Sequence, residues 1–204
     1  MRLPKSIPES QKYVTWAFPI MLGFGIASLI DTSWQGRVAV IVGMVVVFTG
    51  WSSFAMIAEH NYNDLLLVCD LGLITTYVLL LCYGRTLNSM LGPSDLAIWT
   101  ASAATFGFYS FWDFSALLGH DTKAMATSAH LRKFGLICAG LAIPFAVGAV
   151  VVNQELASTS KAVGSLPTTV SRSVLLSLWI LILCWWHYGR VVAALADGRA
   201  DDKS

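Results

Sequence analysis

Residues 64–84 read DLLLVCDLGLITTYVLLLCYG, a run in which Asp64 and Asp70 are the only charged side chains. A helix of about 20 residues is what the hydrocarbon core of a bilayer requires, so this stretch is a membrane span rather than a strand or a soluble helix. Similar runs flank it at about 13–30, 37–58, 95–118, 134–152 and 171–195. In lipid every backbone donor and acceptor must be satisfied within its own element, so the runs are expected to be helices. The fold class is therefore all-α: a polytopic, six-helix membrane bundle formed by one domain over residues 1–204.

Composition agrees. The chain has 204 residues, of which 56% are hydrophobic and 12% charged, and its mean hydropathy is +0.65. A soluble domain carries roughly 25% charged residues. The net charge of +1 recommends no polyanionic partner, so nucleic-acid binding is not expected. Cys69, Cys82, Cys138 and Cys184 lie inside apolar runs without CxxC spacing, which argues against a disulfide scaffold or a thiolate metal site. The first run imitates a signal peptide but is long for an h-region and has no clean small-residue cleavage site, so it is read as a span.

Orientation follows from the basic residues, which cytoplasmic segments retain. With the N-terminus inside, the inner segments hold Arg2, Lys5, Lys12, Lys123, Arg132, Lys133, Arg190, Arg199 and Lys203, and the outer ones Arg37, Arg85, Lys161 and Arg172. Both termini are thus expected in the cytoplasm, and the protein in the plasma (inner) membrane as a multi-pass chain. Asn63 and Ser94 are the expected N-caps of the third and fourth helices, and Asn153–Ser171 is expected to be an outward loop.

An ionisable side chain at membrane depth costs about 2.5–3.5 kcal/mol on insertion scales, so each needs a partner, water or a function. Asp70 and Asp113 are the two that stand out. They lie on antiparallel helices, each about 9 Å from a cytoplasmic helix end. His187 and Arg190, three residues apart on the sixth span, share one face at the same depth. Asn63, Asp70 and Tyr77 recur every seven residues and form one stripe. Ser102, Phe106, Ser110 and Asp113 form another. Together Asp70, Asp113, His187, Arg190, Tyr77 and Ser110 make the expected substrate or ion site. The competing expectation is a structural ion pair between Arg190 and one of the acids.

Other chemistries find less support. Glu59, His60 and Asp64 are chemically able to bind a divalent ion, although the same segment reads equally well as a solvated turn. Haem ligation needs histidines at matching depth on facing helices, and only His187 of His60, His120, His130 and His187 lies well inside a span. No lysine is placed for a retinal Schiff base. No cofactor is expected, and the case for an enzyme is poor, lipid modification by His187 and Asp113 being the one candidate reaction.

Eight tryptophans are many for this length. Trp16, Trp34, Trp99, Trp185 and Trp186 fall near span ends, where headgroup-level aromatic belts form. Gly140, Pro144 and Gly148 place small or bending residues four apart on the fifth span, a pattern of close helix approach. Ala97, Ala101 and Thr105 form a small-residue face on the fourth.

The reading is a small transporter or channel for an ion or small solute, embedded in the lipid bilayer and assembled as a homo-oligomer or as a subunit of a membrane complex. The alternative is a non-catalytic subunit or effector that binds a partner protein through faces such as Ala97, Ala101 and Thr105.

Overall fold

A computed structural model describes residues 9–57, 64–87, 92–118 and 125–159. Five helices account for nearly all of them: α1 (Glu9–Ser28), α2 (Trp34–Ile57), α3 (Asp64–Arg85), α4 (Pro93–Leu118) and α5 (Met125–Thr159). The sixth expected span lies outside the described residues. Among those residues, three stretches are long and apolar enough to cross a membrane: Trp34–Trp51, Leu65–Arg85 and Arg132–Ser158.

Consecutive helices pack side by side and antiparallel, as short connections dictate. α3 is central, in contact with α1, α2 and α4, and α5 packs on α4. The register is readable from the glycines. Gly25 of α1 lies against Met44 of α2, and Gly43 and Gly84 bring α2 and α3 together at Leu81 and Ala39. Gly72 of α3 seats the Phe108 ring of α4, Gly135 of α5 seats the Phe114 ring, and Gly148 of α5 seats the Trp99 ring. These pairings run in opposite chain directions across each interface. Once inside lipid, helices gain nothing from burying apolar surface against one another, so close packing of this kind must hold them.

The helix ends are set by local hydrogen bonds. α1 stops at Ser28, whose carbonyl accepts from the Thr32 hydroxyl at 2.6 Å, and Asp31 turns the chain with φ 57°, a left-handed conformation that Asp tolerates. Ser33 caps α2: its hydroxyl oxygen accepts from the Gly36 N–H at 3.1 Å and its hydroxyl donates to the Leu87 carbonyl at 2.6 Å. That second bond ties the α1–α2 turn to the end of α3.

The start of α4 differs from the sequence expectation. Gly92, not Ser94, occupies the cap, Pro93 takes the first helical position where its missing N–H costs nothing, and the Asp95 carboxylate accepts from the Gly92 N–H at 2.9 Å. Ser94 is inside the helix, its hydroxyl paired with that of Thr86 at 2.8 Å. Asn63 lies outside the described residues.

α5 is also longer than its apolar run. It has 35 residues and continues through Asn153–Thr159, which the polarity of the segment had suggested was loop. Its three small or bending residues do not form one interface. Gly148 faces α4 through Trp99, whereas Gly140 has no atom near its Cβ position and Pro144 is exposed. Trp99 accordingly works as a wedge between α4 and α5, 6.1 Å from the Phe145 ring centre, while Trp16 and Trp34 are exposed.

Two glycines make opposite predictions. A Cβ at Gly36 would meet the Thr32 methyl and the Arg85 and Gly84 carbonyl oxygens, so Gly36→Val is expected to lower stability by about 1–3 kcal/mol through overpacking. Gly140→Ala, in open space, is expected to be neutral or to stabilise by about 0.5–1 kcal/mol through helix propensity. Unfolding of both variants in detergent micelles checks the pair.

Candidate functional site

Among the described residues, α3 and α4 carry most of the buried polar side chains. Asp70, Thr76 and Tyr77 on α3, and Ser102, Thr105, Tyr109, Ser110 and Asp113 on α4, are all buried. Buried polar groups persist only when they find partners, and several of these find each other. The Tyr77 and Tyr109 hydroxyls lie 2.5 Å apart. The Thr105 hydroxyl donates to Thr76 Oγ1 at 3.0 Å, and Thr76 donates onward to the Leu73 carbonyl at 2.8 Å.

These bonds fix the register. With Gly72 beneath Phe108 and Thr76 opposite Thr105, antiparallel counting brings Asp70 level with Asp113. Asp70 stands two turns from Tyr77 on the Tyr77 stripe, and Asp113 stands one turn beyond Tyr109. Asp70 is 5% exposed and Asp113 2% exposed. Both engage in further polar or electrostatic interactions. Both carboxylates are therefore buried within the bundle, Asp70 on the Tyr77 face of α3 and Asp113 on the Phe106 face of α4.

Tyr77 is the best-packed residue of the group. It is 0% exposed, its ring centre is 6.4 Å from that of Phe18 on α1, and Gly50 of α2 leaves the space its hydroxyl fills. Phe18 in turn lies 5.9 Å from Phe54 of α2. The side chain thus joins α3 to three other helices.

Ser110 is also buried, but its hydroxyl donates to the Gly135 carbonyl of α5 at 2.7 Å. Ser102 donates to the Ile98 carbonyl of its own turn at 2.6 Å. The stripe expected to line one side of a path is therefore divided. Phe106 stacks on Phe145 of α5 with ring centres 5.2 Å apart, Ser110 bonds α5, and the hydroxyls opposite α3 are those of Thr105 and Tyr109.

His187, Arg190, Glu59 and His60 lie outside the described residues, and Asp64 is the first residue of α3. Among the described residues no group of three or more His, Cys, Asp or Glu side chains is placed to hold a metal. The small-residue face Ala97, Ala101 and Thr105 has a use within the chain, since Ala101 and Thr105 are buried and Thr105 bonds α3.

Sequence reasoning singled out Asp70, Asp113, Tyr77 and Ser110 and missed Thr76, Thr105 and Tyr109 as their companions. The signal for Thr105 and Tyr109 was the i, i+4 step from Ala101 through Thr105 to Tyr109, which marks one helix face. The aromatic run around Tyr109 concealed it.

What the arrangement can do chemically follows from its groups. Carboxylates bind cations or carry protons, and hydroxyls both donate and accept hydrogen bonds. Replacing Thr105 with Val keeps its shape and deletes the interhelical bond, so Thr105→Val is expected to cost about 0.6 kcal/mol and no more than about 1.7, measured by unfolding in micelles. Comparisons with protein families, curated proteins and solved structures returned no match.

Proposed function

We propose that this chain is a small multi-pass transporter or channel of the plasma (inner) membrane, with six spans and both termini in the cytoplasm. Its cargo is an ion or small solute, and its site is the acidic level of Asp70 and Asp113. The observation that carries the reading is the presence of two buried carboxylates on the adjoining helices α3 and α4 within a chain that is only 12% charged. Intramembrane carboxylates are expensive to insert and mark ion and proton pathways.

In this reading the carboxylates hold the cation or proton, while His187 and Arg190 on the sixth span balance the local charge. Tyr77 sets the position of α3 against its neighbours. Ser110 fixes α4 to α5 and keeps Asp113 in place. A chain of this size has little room for a wide pore, which favours a narrow path or an oligomer.

A second reading, a non-catalytic subunit, rests on the outward face of α5. Leu136, Ile143, Val147 and Val150 are exposed there, and α5 is held chiefly by α4. A stoichiometric membrane partner that co-purifies and covers this face would favour it.

The test is reconstitution of the full chain in liposomes, with flux followed as a function of pH. The expected result is pH-dependent flux that Asp70→Asn and Asp113→Asn each abolish while the protein remains folded. Unchanged flux in both folded variants overturns the reading.

A further inference from the structure

α5 is held chiefly from one side, by α4, through Gly135, Gly148 and the Phe145 ring. On its other side Leu136, Ile143, Val147 and Val150 are each more than half exposed, and Gly140 between them has no atom of the described residues within 4 Å of its Cβ position. These five positions advance by four, three, four and three residues, the repeat by which two helices interlock along a left-handed seam. The next steps of the repeat fall on Lys133 and Gln154. Between those two polar ends the helix rises about 32 Å, close to the thickness of the hydrocarbon layer. Outward faces elsewhere differ. α1 and α2 expose rings at Tyr13, Trp16, Phe24, Trp34 and Phe48, whereas the exposed large hydrophobic side chains of α5 are all aliphatic.

We propose that this face is a dimer interface and that its occupant is α5 of a second copy of the chain. Copies inserted in the same orientation pair about a two-fold axis along the membrane normal, so the two α5 helices run parallel and each seam position meets its own counterpart. The β-branched side chains of Ile143, Val147 and Val150 hold few rotamers and lose little freedom on contact, and Gly140 lets the backbones approach closely. Pro144 has no N–H to give the Gly140 carbonyl one turn earlier. A carbonyl lacking its usual donor thus lies at the closest point of approach, within reach of Cα–H groups on the facing helix. With Val151 beside the seam, the exposed area is roughly 500 Å² per copy, and a pair covers about the 1,000 Å² that a specific interface needs.

The chain's own sixth apolar run is set elsewhere by the transport reading, and this step of the inference rests on that reading. At 100° per residue Val147 stands about 200° round α5 from Phe145, so the seam points away from α4 and Asp113. A run seated there could not bring His187 and Arg190 to the carboxylates. The same geometry keeps the acid sites of a dimer apart, one in each copy.

The experiment uses the full chain in liposomes. Val147→Cys is oxidised with copper phenanthroline and separated without reductant, beside the parent chain and Ile20→Cys, an exposed position of α1. The expected result is a cross-linked dimer with Val147→Cys, and none above the parent level with Ile20→Cys. Energy transfer between labelled copies, followed as lipid is added, measures the association itself. Because Gly140 stands in open space within one copy, Gly140→Leu is expected to leave the unfolding midpoint no lower than the parent's. It is expected to raise the protein-to-lipid ratio for half-dimerisation by about tenfold or more, the effect of overpacking a close seam.

A parent chain that stays monomeric at every lipid ratio overturns the proposal and leaves the face to lipid. A cross-link from Val147→Cys to Cys184 of the same chain overturns it in favour of the sixth run, and one to a different membrane protein does so in favour of that protein. Undiminished association in Gly140→Leu overturns it as well, and if that variant fails to fold the Val147→Cys cross-link still decides. A parent that dimerises through Val147→Cys but carries no flux removes the transport reading and leaves the interface standing. Flux from a monomeric parent does the reverse.

Discussion

Four helices meet at one phenol. Tyr77 reaches from α3 to Phe18 of α1, to the space above Gly50 of α2 and to the hydroxyl of Tyr109 on α4. A buried tyrosine brings a large apolar body and one polar tip that must be paired. Here the ring fills the junction of α1, α2 and α3, and the tip chooses the register of α4. Once Tyr77 is paired with Tyr109 and Thr76 with Thr105, Asp70 and Asp113 stand at the same height, and the turns between them are set.

The interfaces around that junction share one construction, a glycine on one helix receiving a ring or branched chain from the next. Gly72 with Phe108, Gly135 with Phe114 and Gly148 with Trp99 repeat it along α3, α4 and α5. In lipid this is how apolar helices gain from touching at all, since dispersion contacts rise with close approach while hydrophobic burial adds nothing. The helix with the most hydroxyls, α4, lies between α3 and α5. Its polarity is tolerable there because both flanking helices offer acceptors: Thr76 on one side and the Gly135 carbonyl on the other.

The first five helices were legible as helices because charge-poor apolar runs have few alternatives to helix, but among the described residues only parts of α2, α3 and α5 are long and apolar enough to cross a membrane. The seven-residue step from Asp70 to Tyr77 also identified a face that is buried. Ends and partners were harder to read. Ser33 caps α2 through a bond that also depends on Leu87, which is remote in sequence, and Pro93 moved the start of α4 ahead of Ser94. Hydropathy reports where hydrocarbon would be comfortable, not where backbone hydrogen bonding stops, which is why α5 outruns its apolar core. The alanine and threonine face of α4 had the pattern of an interface, and it is one, but composition alone does not tell a neighbour in the same chain from another molecule. Tyr109 was hidden for a related reason: aromatics surround its helix, so no single side was marked.

The length of α5 has a bearing on the host membrane. At 35 residues and 1.5 Å per residue it is about 52 Å long, against a hydrocarbon layer of roughly 30 Å. Set upright, it would carry several turns into the headgroups and the water beyond. Leaning over brings more of it into the acyl chains, at a modest elastic penalty for each ångström of mismatch. Because α5 is seated on α4 by the Phe106–Phe145 stack, a lean of α5 would carry α4 with it.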